Sequence, residues 1–504
     1  MKESSIQKAK LNISTTLISQ LVATACGIVI PRVMIGAFGS ATYGITTSIA
    51  QFLAYISLLE SGIGRVARGE LYKPLAEKDS FEISRVYHAI KYFFRIVGIV
   101  FIAYTLVLSV TYYDIAQVEE LSRTTVFLLI WVISTTTLAK YLGGLANLTL
   151  LNADQRQYIG NTVVSVTTVL NAFLIVVLTR VNCDILIVKL CSSMVYIAQP
   201  VCYAIYVRKL FKLRPVGKNR SKLKQKWTGI GQHIAYFLHT NTDVVMLTLF
   251  ADIRLVAVYT VYSLVITSIR KIAGSFTGGM EAAFGEMIAK NDKNSLRNAF
   301  RQYKFMLSFA TILLFGTTAI LILPFVRLYT AGITDADYIQ PVFAIILLFA
   351  EAIDCVMFPC SSLPVSANKL KETKWGSYGE AMLNIGLSFA LICWNPLVGV
   401  AIGTLVATVF KGIYYMVYSG RHILEMSLKE LVKNFLFTAV LIGVFALAGT
   451  LIMREGIVTS FYQWIFWGIG AFAVVAIVTA SMSLVFYPGE FKRTLSSLKR
   501  KKHR

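Results

Sequence analysis

Residues 11–34 read LNISTTLISQLVATACGIVIPRVM, an apolar stretch entered from a basic start at Lys2, Lys8 and Lys10. A cleaved secretory signal has a shorter apolar core, of about 7–15 residues, although Ala23-Thr24-Ala25-Cys26 imitates a processing site. Because the run continues to Met34, close to the roughly 20 residues needed to cross hydrocarbon, it reads as a first membrane span. The rest of the chain decides in the same direction. Its 504 residues are 56% hydrophobic and 15% charged, with a mean hydropathy of +0.65. That leaves too little polar surface to coat a soluble globule.

Marking every such stretch between polar breaks gives about fourteen spans. Six lie near 11–36, 43–66, 89–112, 123–150, 158–180 and 184–207; six follow near 230–251, 255–280, 303–325, 339–365, 376–394 and 396–419; a final pair lies near 431–453 and 461–487. The expected fold is therefore an all-α polytopic membrane protein. Its expected domains are an N-lobe over 1–207, a basic cytoplasmic linker over 208–229, a C-lobe over 230–420, and a helix pair with a basic tail over 421–504.

The net charge of +23 suggests nucleic acid only until the cations are placed along the chain. Arg65, Arg68, Lys73, Lys78 and Arg85, the 208–229 and 281–302 loops, Lys369–Lys374 and Lys499–Arg504 all fall in alternate loops, on one side of the membrane. The other side carries single cations such as Arg123 and Arg254 among Asp114, Glu119, Glu120, Asp335 and Asp337. The positive-inside rule then puts both termini in the cytoplasm and makes anionic membrane lipids, not nucleic acid, the expected partner of the basic loops. The seven cysteines lack CxxC spacing and read as reduced core thiols, with no metal site or disulfide. No phosphate-binding loop or nucleophile elbow is present, so neither ATP-driven transport by this chain alone nor enzymatic activity is expected.

The chain also repeats itself. Gly69-Glu70-Leu71 and Lys91-Tyr92-Phe93 recur as Gly285-Glu286-Met287 and Lys304-Phe305, Leu170-Asn171 as Leu383-Asn384, and the Asn152–Gln157 turn as Ser366–Lys374. Six spans per unit is an even number, so the two pseudo-repeats are parallel, and transporters of that build place substrate between the halves.

Within the spans, each charge costs roughly 2.5–3.5 kcal/mol and calls for a partner, a cavity or snorkelling. His239-Thr240-Asn241-Thr242-Asp243 interrupts an apolar helix, and suits either a polar cavity or hydrogen bonding between helices. Lys140 lies about 25 Å from the outer end of its span. Arg270 and Lys271 are similarly deep, and either hold a lipid pyrophosphate or snorkel to the inner interface. Arg32 has the same two readings near the outer end of span one. Asp243, Glu351 and Asp354 are the candidates for ion coupling or gating, by Na+ or H+, with no other cofactor. Under the repeat offset Lys140 stands beside the position of Asp354, which suggests a salt bridge between lobes. Glu60 and Arg68 are expected to form a structural pair.

The first two spans also carry Ile30-Pro31-Arg32-Val33-Met34, Phe38-Gly39-Ser40-Ala41-Thr42-Tyr43-Gly44, and Leu58-Leu59-Glu60-Ser61-Gly62-Ile63-Gly64 with Arg65 and Arg68. These segments resemble bacterial polysaccharide flippases of the multidrug/oligosaccharidyl-lipid/polysaccharide (MOP) exporter superfamily. Asp243 and Val256 to Tyr259 extend the likeness, which runs over residues 10–420; Glu60 departs from it, standing where Asp is the commoner residue. The resemblance implies two six-helix lobes around a cavity that opens to each side in turn. It implies as substrate an undecaprenyl-diphosphate-linked oligosaccharide carried outward across the bacterial cytoplasmic membrane, and as partner the polysaccharide polymerase machinery. A cation-coupled drug or metabolite antiporter of the same superfamily and a non-transporting envelope-synthesis protein are the rival readings.

Overall fold

The computed structural model describes residues 5–60, 63–216, 230–275, 280–452 and 457–501. Lys2, Ser61, Gly62, most of the basic linker and the last three residues of the tail lie outside the described residues, as do the side chains of Arg65 and Lys499–Lys501. The chain forms two compact units, Met1–Phe237 with Asp252–Ala257, and Leu238–Ala251 with Val258–Arg504.

The first unit contains α1 (Ser5–Ala54), α2 (Ser57–Glu60), α3 (Ile63–Glu77), α4 (Ser80–Ile115), α5 (Arg123–Ala139), α6 (Leu145–Ala153), α7 (Gln157–Arg180) and α8 (Ile185–Leu210). At 1.5 Å per residue, α1 is about 75 Å long, more than twice the hydrocarbon thickness of a bilayer, so it must turn back. It does so at Gly39, whose φ of 80° and ψ of 167° belong to a region only glycine enters without strain. α1 is thus the first two expected spans. Span four is also interrupted, by a π-turn at Lys140–Gly144 between α5 and α6; such turns often mark functional positions.

The second unit is built from α9 (Ile230–Phe250, whose first two turns belong to the first unit), α10 (Arg254–Ser275), α11 (Met280–Ala289), α12 (Lys293–Tyr329), α13 (Pro341–Ser366), α14 (Lys374–Leu391), α15 (Pro396–Ser419), α16 (Leu428–Ile452), α17 (Phe461–Phe486) and α18 (Pro488–Lys501). The C-terminal pair α16–α17 packs on α12 through Ile312, Leu441, Phe445 and Val475. A Cβ on Gly449 would lie 2.7–2.8 Å from the backbone of Ala319 and Ile320, so α16 and α12 approach as closely as they do only because that residue is glycine.

Eleven helices among the described residues are long and apolar enough to cross a membrane, the first being the double span. α9 and α14 complete the fourteen. They fall short of the apolar criterion because each carries buried polar residues, His239 and Asp243 in one, Glu380 and Asn384 in the other. The protein is a multi-pass, all-helical membrane protein.

The pseudo-repeat is visible in the backbone at an offset of 213 residues. Lys78 and Asn291 both take positive φ, as do Gln155 and Asn368. The following Asp79 and Asp292 cap α4 and α12, accepting the N–H of Phe81 at 2.9 Å and of Ser295 at 2.9 Å. Connections that the charge pattern assigns to one side also meet. In the first unit Lys8 reaches Asp154 O at 2.8 Å, while at its other end Arg254 pairs with Glu120 at 2.9 Å. In the second, Arg297 pairs with Glu425 at 3.2 Å at the basic end, and the Tyr262 hydroxyl donates to Tyr338 O at 2.8 Å at the other.

Candidate functional site

Five spans of the second unit, α9, α10, α13, α14 and α15, converge on a buried polar system. His239 and Asp243 stand four residues apart on α9, hence on one helix face, and both are buried. Thr240 points to the exposed side, where it accepts from Asn241 Nδ2 at 2.9 Å. The polar run read from the sequence therefore divides between two faces.

Asp243 is held by neutral groups. The hydroxyl of Tyr259 on α10 donates to its Oδ2 at 2.9 Å, and the Thr404 hydroxyl of α15 does so at 3.0 Å. Thr404 in turn accepts Asn384 Nδ2 of α14 at 2.9 Å. The carbonyl oxygen of Asn384 and the hydroxyl of Ser388, one turn on, are buried without a hydrogen-bond partner among the described residues. The two donors to Asp243 lie on different helices, so a change in the charge of this one carboxylate alters two interhelical contacts directly, and a third through Thr404 and Asn384.

Around it runs a chain of ion pairs. Arg270 of α10 donates to Glu351 Oε2 at 2.8 Å and lies 3.3 Å from Asp354, both on α13. Lys411 of α15 bridges Asp354 at 3.3 Å and Glu380 of α14 at 3.0 Å, and His239 Nδ1 stands 3.4 Å from Glu380. Counting Asp243, four carboxylates face two permanent cations and one histidine. A low-dielectric interior penalises such an imbalance, which a proton or a small cation relieves.

These contacts correct several expectations. Arg270 is engaged by two carboxylates instead of being presented to a phosphate, because its guanidinium fork matches two acceptors one helical turn apart. Lys271, one residue on, is exposed and joins no ion pair among the described residues. Asp354 finds two cations, Arg270 and Lys411, within its own unit, and Lys140 lies in the electrostatic field of Glu60. Glu60 forms no ion pair with Arg68 among the described residues: it stands near Tyr141 and in the field of Lys140, whereas Arg68 Nε donates to Gly64 O at 3.2 Å, one turn back on its own helix. Arg32 is half-buried on α1.

Sequence reasoning missed Lys411 and Glu380. Lys411 stands about 22 Å into its span, and a comparable depth is what makes Lys140 conspicuous. Glu380 sits four residues before Asn384, on the same face.

No protein-family model and no curated protein sequence matches the chain. Solved structures do. The lipid II flippase MurJ in an inward closed conformation superposes with a TM-score of 0.69 at 14% identity, covering 94% of this chain and 98% of that one. The MATE transporter VcmN of Vibrio cholerae gives 0.54 at 15% identity over 83% and 98%. An inward-facing multidrug-resistance MATE transporter of the MOP superfamily gives 0.50 at 14% over 87% and 98%. The chain shares the fold of these structures. At such identities the likeness extends to the fold and not to individual residues.

Proposed function

We propose that the protein is a flippase that moves an undecaprenyl-diphosphate-linked oligosaccharide from the inner to the outer leaflet of a bacterial cytoplasmic membrane by alternating access. Movement is coupled to H+ or Na+ through the carboxylates of the second unit. Both termini lie in the cytoplasm, and the glycan is delivered outside to polymerase machinery. The N-lobe, basic linker, C-lobe and C-terminal pair divide the work as the charge pattern suggests.

The observation that carries the substrate class is the extent of the structural likeness. The 94% match to the lipid II flippase leaves too few residues over to omit α16 and α17, which hold 25 and 26 residues. Part of the membrane-facing pair at least therefore falls inside that match, which supports the reading, whereas the MATE matches span 83% and 87%. A long polyprenyl tail that stays in the bilayer needs such an apolar flank, and Val440, Leu447, Phe466 and Val485 are each more than half exposed along it. Lys140, beside Glu60, remains the deep cation for a pyrophosphate. The surplus of carboxylates around Arg270 and Lys411 favours coupling by a cation. It is also the one observation that favours the second reading, a cation-coupled drug or metabolite antiporter.

The test is flipping of labelled undecaprenyl-diphosphate oligosaccharide in proteoliposomes with and without H+ and Na+ gradients, for the unaltered protein, Lys140→Ala and Asp243→Asn. Gradient-driven flipping is expected for the unaltered protein. Lys140→Ala should abolish it, and Asp243→Asn should leave flipping that no longer responds to the gradient. Uptake of small organic cations with no movement of the lipid would replace the flippase by the antiporter.

A further inference from the structure

A second site lies in the first unit. A groove of about 710 Å³ opens between α4, the π-turn region and α8, closed at one end by the chain that follows α8. Its floor is shallow-sided because small residues line it: Ala139 and Gly143 on one wall, Pro200 and Ala204 on the other. The apolar rim is exposed, Val201 by 54% and Ile205 by 59%. The closing segment is fastened to α4, where Arg214 N–H donates to the Ser84 hydroxyl at 3.0 Å and Arg214 O lies 3.2 Å from His88 Nε2.

At that end the groove becomes cationic. Lys91 of α4, Arg208 at the last turn of α8, and Arg214 line it, and Lys91 lies within the electrostatic reach of Arg208 and of Arg95, one turn further along α4. None of these four joins an ion pair among the described residues, whereas Arg270 and Lys411 in the second unit are paired with carboxylates. Like charges gathered without a counter-charge repel one another, and at the edge of an apolar groove the species that satisfies both halves is a lipid with an anionic head.

We propose that this groove binds an anionic phospholipid of the surrounding membrane, its phosphate held by Lys91, Arg208 and Arg214 and its chains laid along α8 and the π-turn. The phosphate lies at the end of the unit that carries the basic loops. Entry is sideways from the bilayer, where phospholipids are the abundant source of phosphate heads, and the bound lipid seals α4 against α8. Occupancy of the groove does not depend on transport.

The test uses the full chain in detergent, supplemented with phosphatidylglycerol or phosphatidylcholine, and counts retained lipids by native mass spectrometry. One phosphatidylglycerol should be kept with a preference over phosphatidylcholine of about tenfold or more, the scale of a lost charge-assisted contact. Lys91→Gln with Arg208→Gln should erase the preference. Gly143→Leu should expel the lipid while keeping every cation, and a Cβ there meets nothing within 4 Å, so the substitution fills the groove without a clash at its root. Equal retention of the two lipids, or a Gly143→Leu protein that still holds phosphatidylglycerol, overturns the assignment. Displacement of phosphatidylglycerol by equimolar undecaprenyl phosphate overturns it too, since the groove would then belong to the polyprenyl carrier. The charge pair and the groove filler perturb different parts, so if one variant fails to fold the other decides.

Discussion

Removing the charge of Lys411 while keeping its length, as Lys411→Met, isolates the ion-pair chain of the second unit. Lys411 Nζ lies 3.0 Å from Glu380 and 3.3 Å from Asp354. Asp354 retains Arg270 at 3.3 Å after the change, but Glu380, whose side chain is 2% exposed, retains only His239 at 3.4 Å. The loss therefore falls on Glu380, and breaking a buried pair from one side costs about 3–5 kcal/mol. For a cooperative unit of roughly 250 residues that lowers the melting temperature on the order of 10 °C. Adding Glu380→Gln removes the stranded carboxylate and should restore about 2–3 kcal/mol, a coupling expected only of residues in direct contact. Melting of the four proteins of this cycle, in one detergent at one scan rate, measures it. A Lys411→Met protein as stable as the unaltered one, or a double variant no better than the single, would refute the reasoning that these charges are held by one another.

Two further predictions concern the fold. Gly39→Ala forces a Cβ into a backbone region that excludes it and should destabilise the first unit by about 1–3 kcal/mol, measured by melting, whereas Gly36→Ala, which meets open space, should be silent. Asp79→Ala and Asp292→Ala remove the same cap from the two pseudo-repeats; each should cost about 1 kcal/mol, and melting that responds to only one would break the equivalence of α4 and α12.

Much of the architecture is legible in the amino-acid sequence, because a bilayer imposes strong rules on composition. The apolar stretches and the internal recurrence depend on local sequence alone, and they reappear in α1–α17 and in the matched Asp79 and Asp292 caps. Asp243, Glu351, Asp354 and Arg270 are legible for the same reason: a charge inside an apolar run is conspicuous whatever it touches.

Tertiary structure alone decides what those charges do. Arg270 reads equally well as a phosphate ligand or a carboxylate partner until α13 brings Glu351 and Asp354 to its two ends. Lys411 and Glu380 gain meaning only from each other, 31 residues apart on neighbouring helices. That Glu60 stands near Lys140 and Tyr141, and not in an ion pair with Arg68 among the described residues, is likewise announced by no local propensity. A charge buried in the membrane is costly enough to be seen in one dimension, but the partner that neutralises it is chosen by which helix faces meet, and that is a property of packing in three.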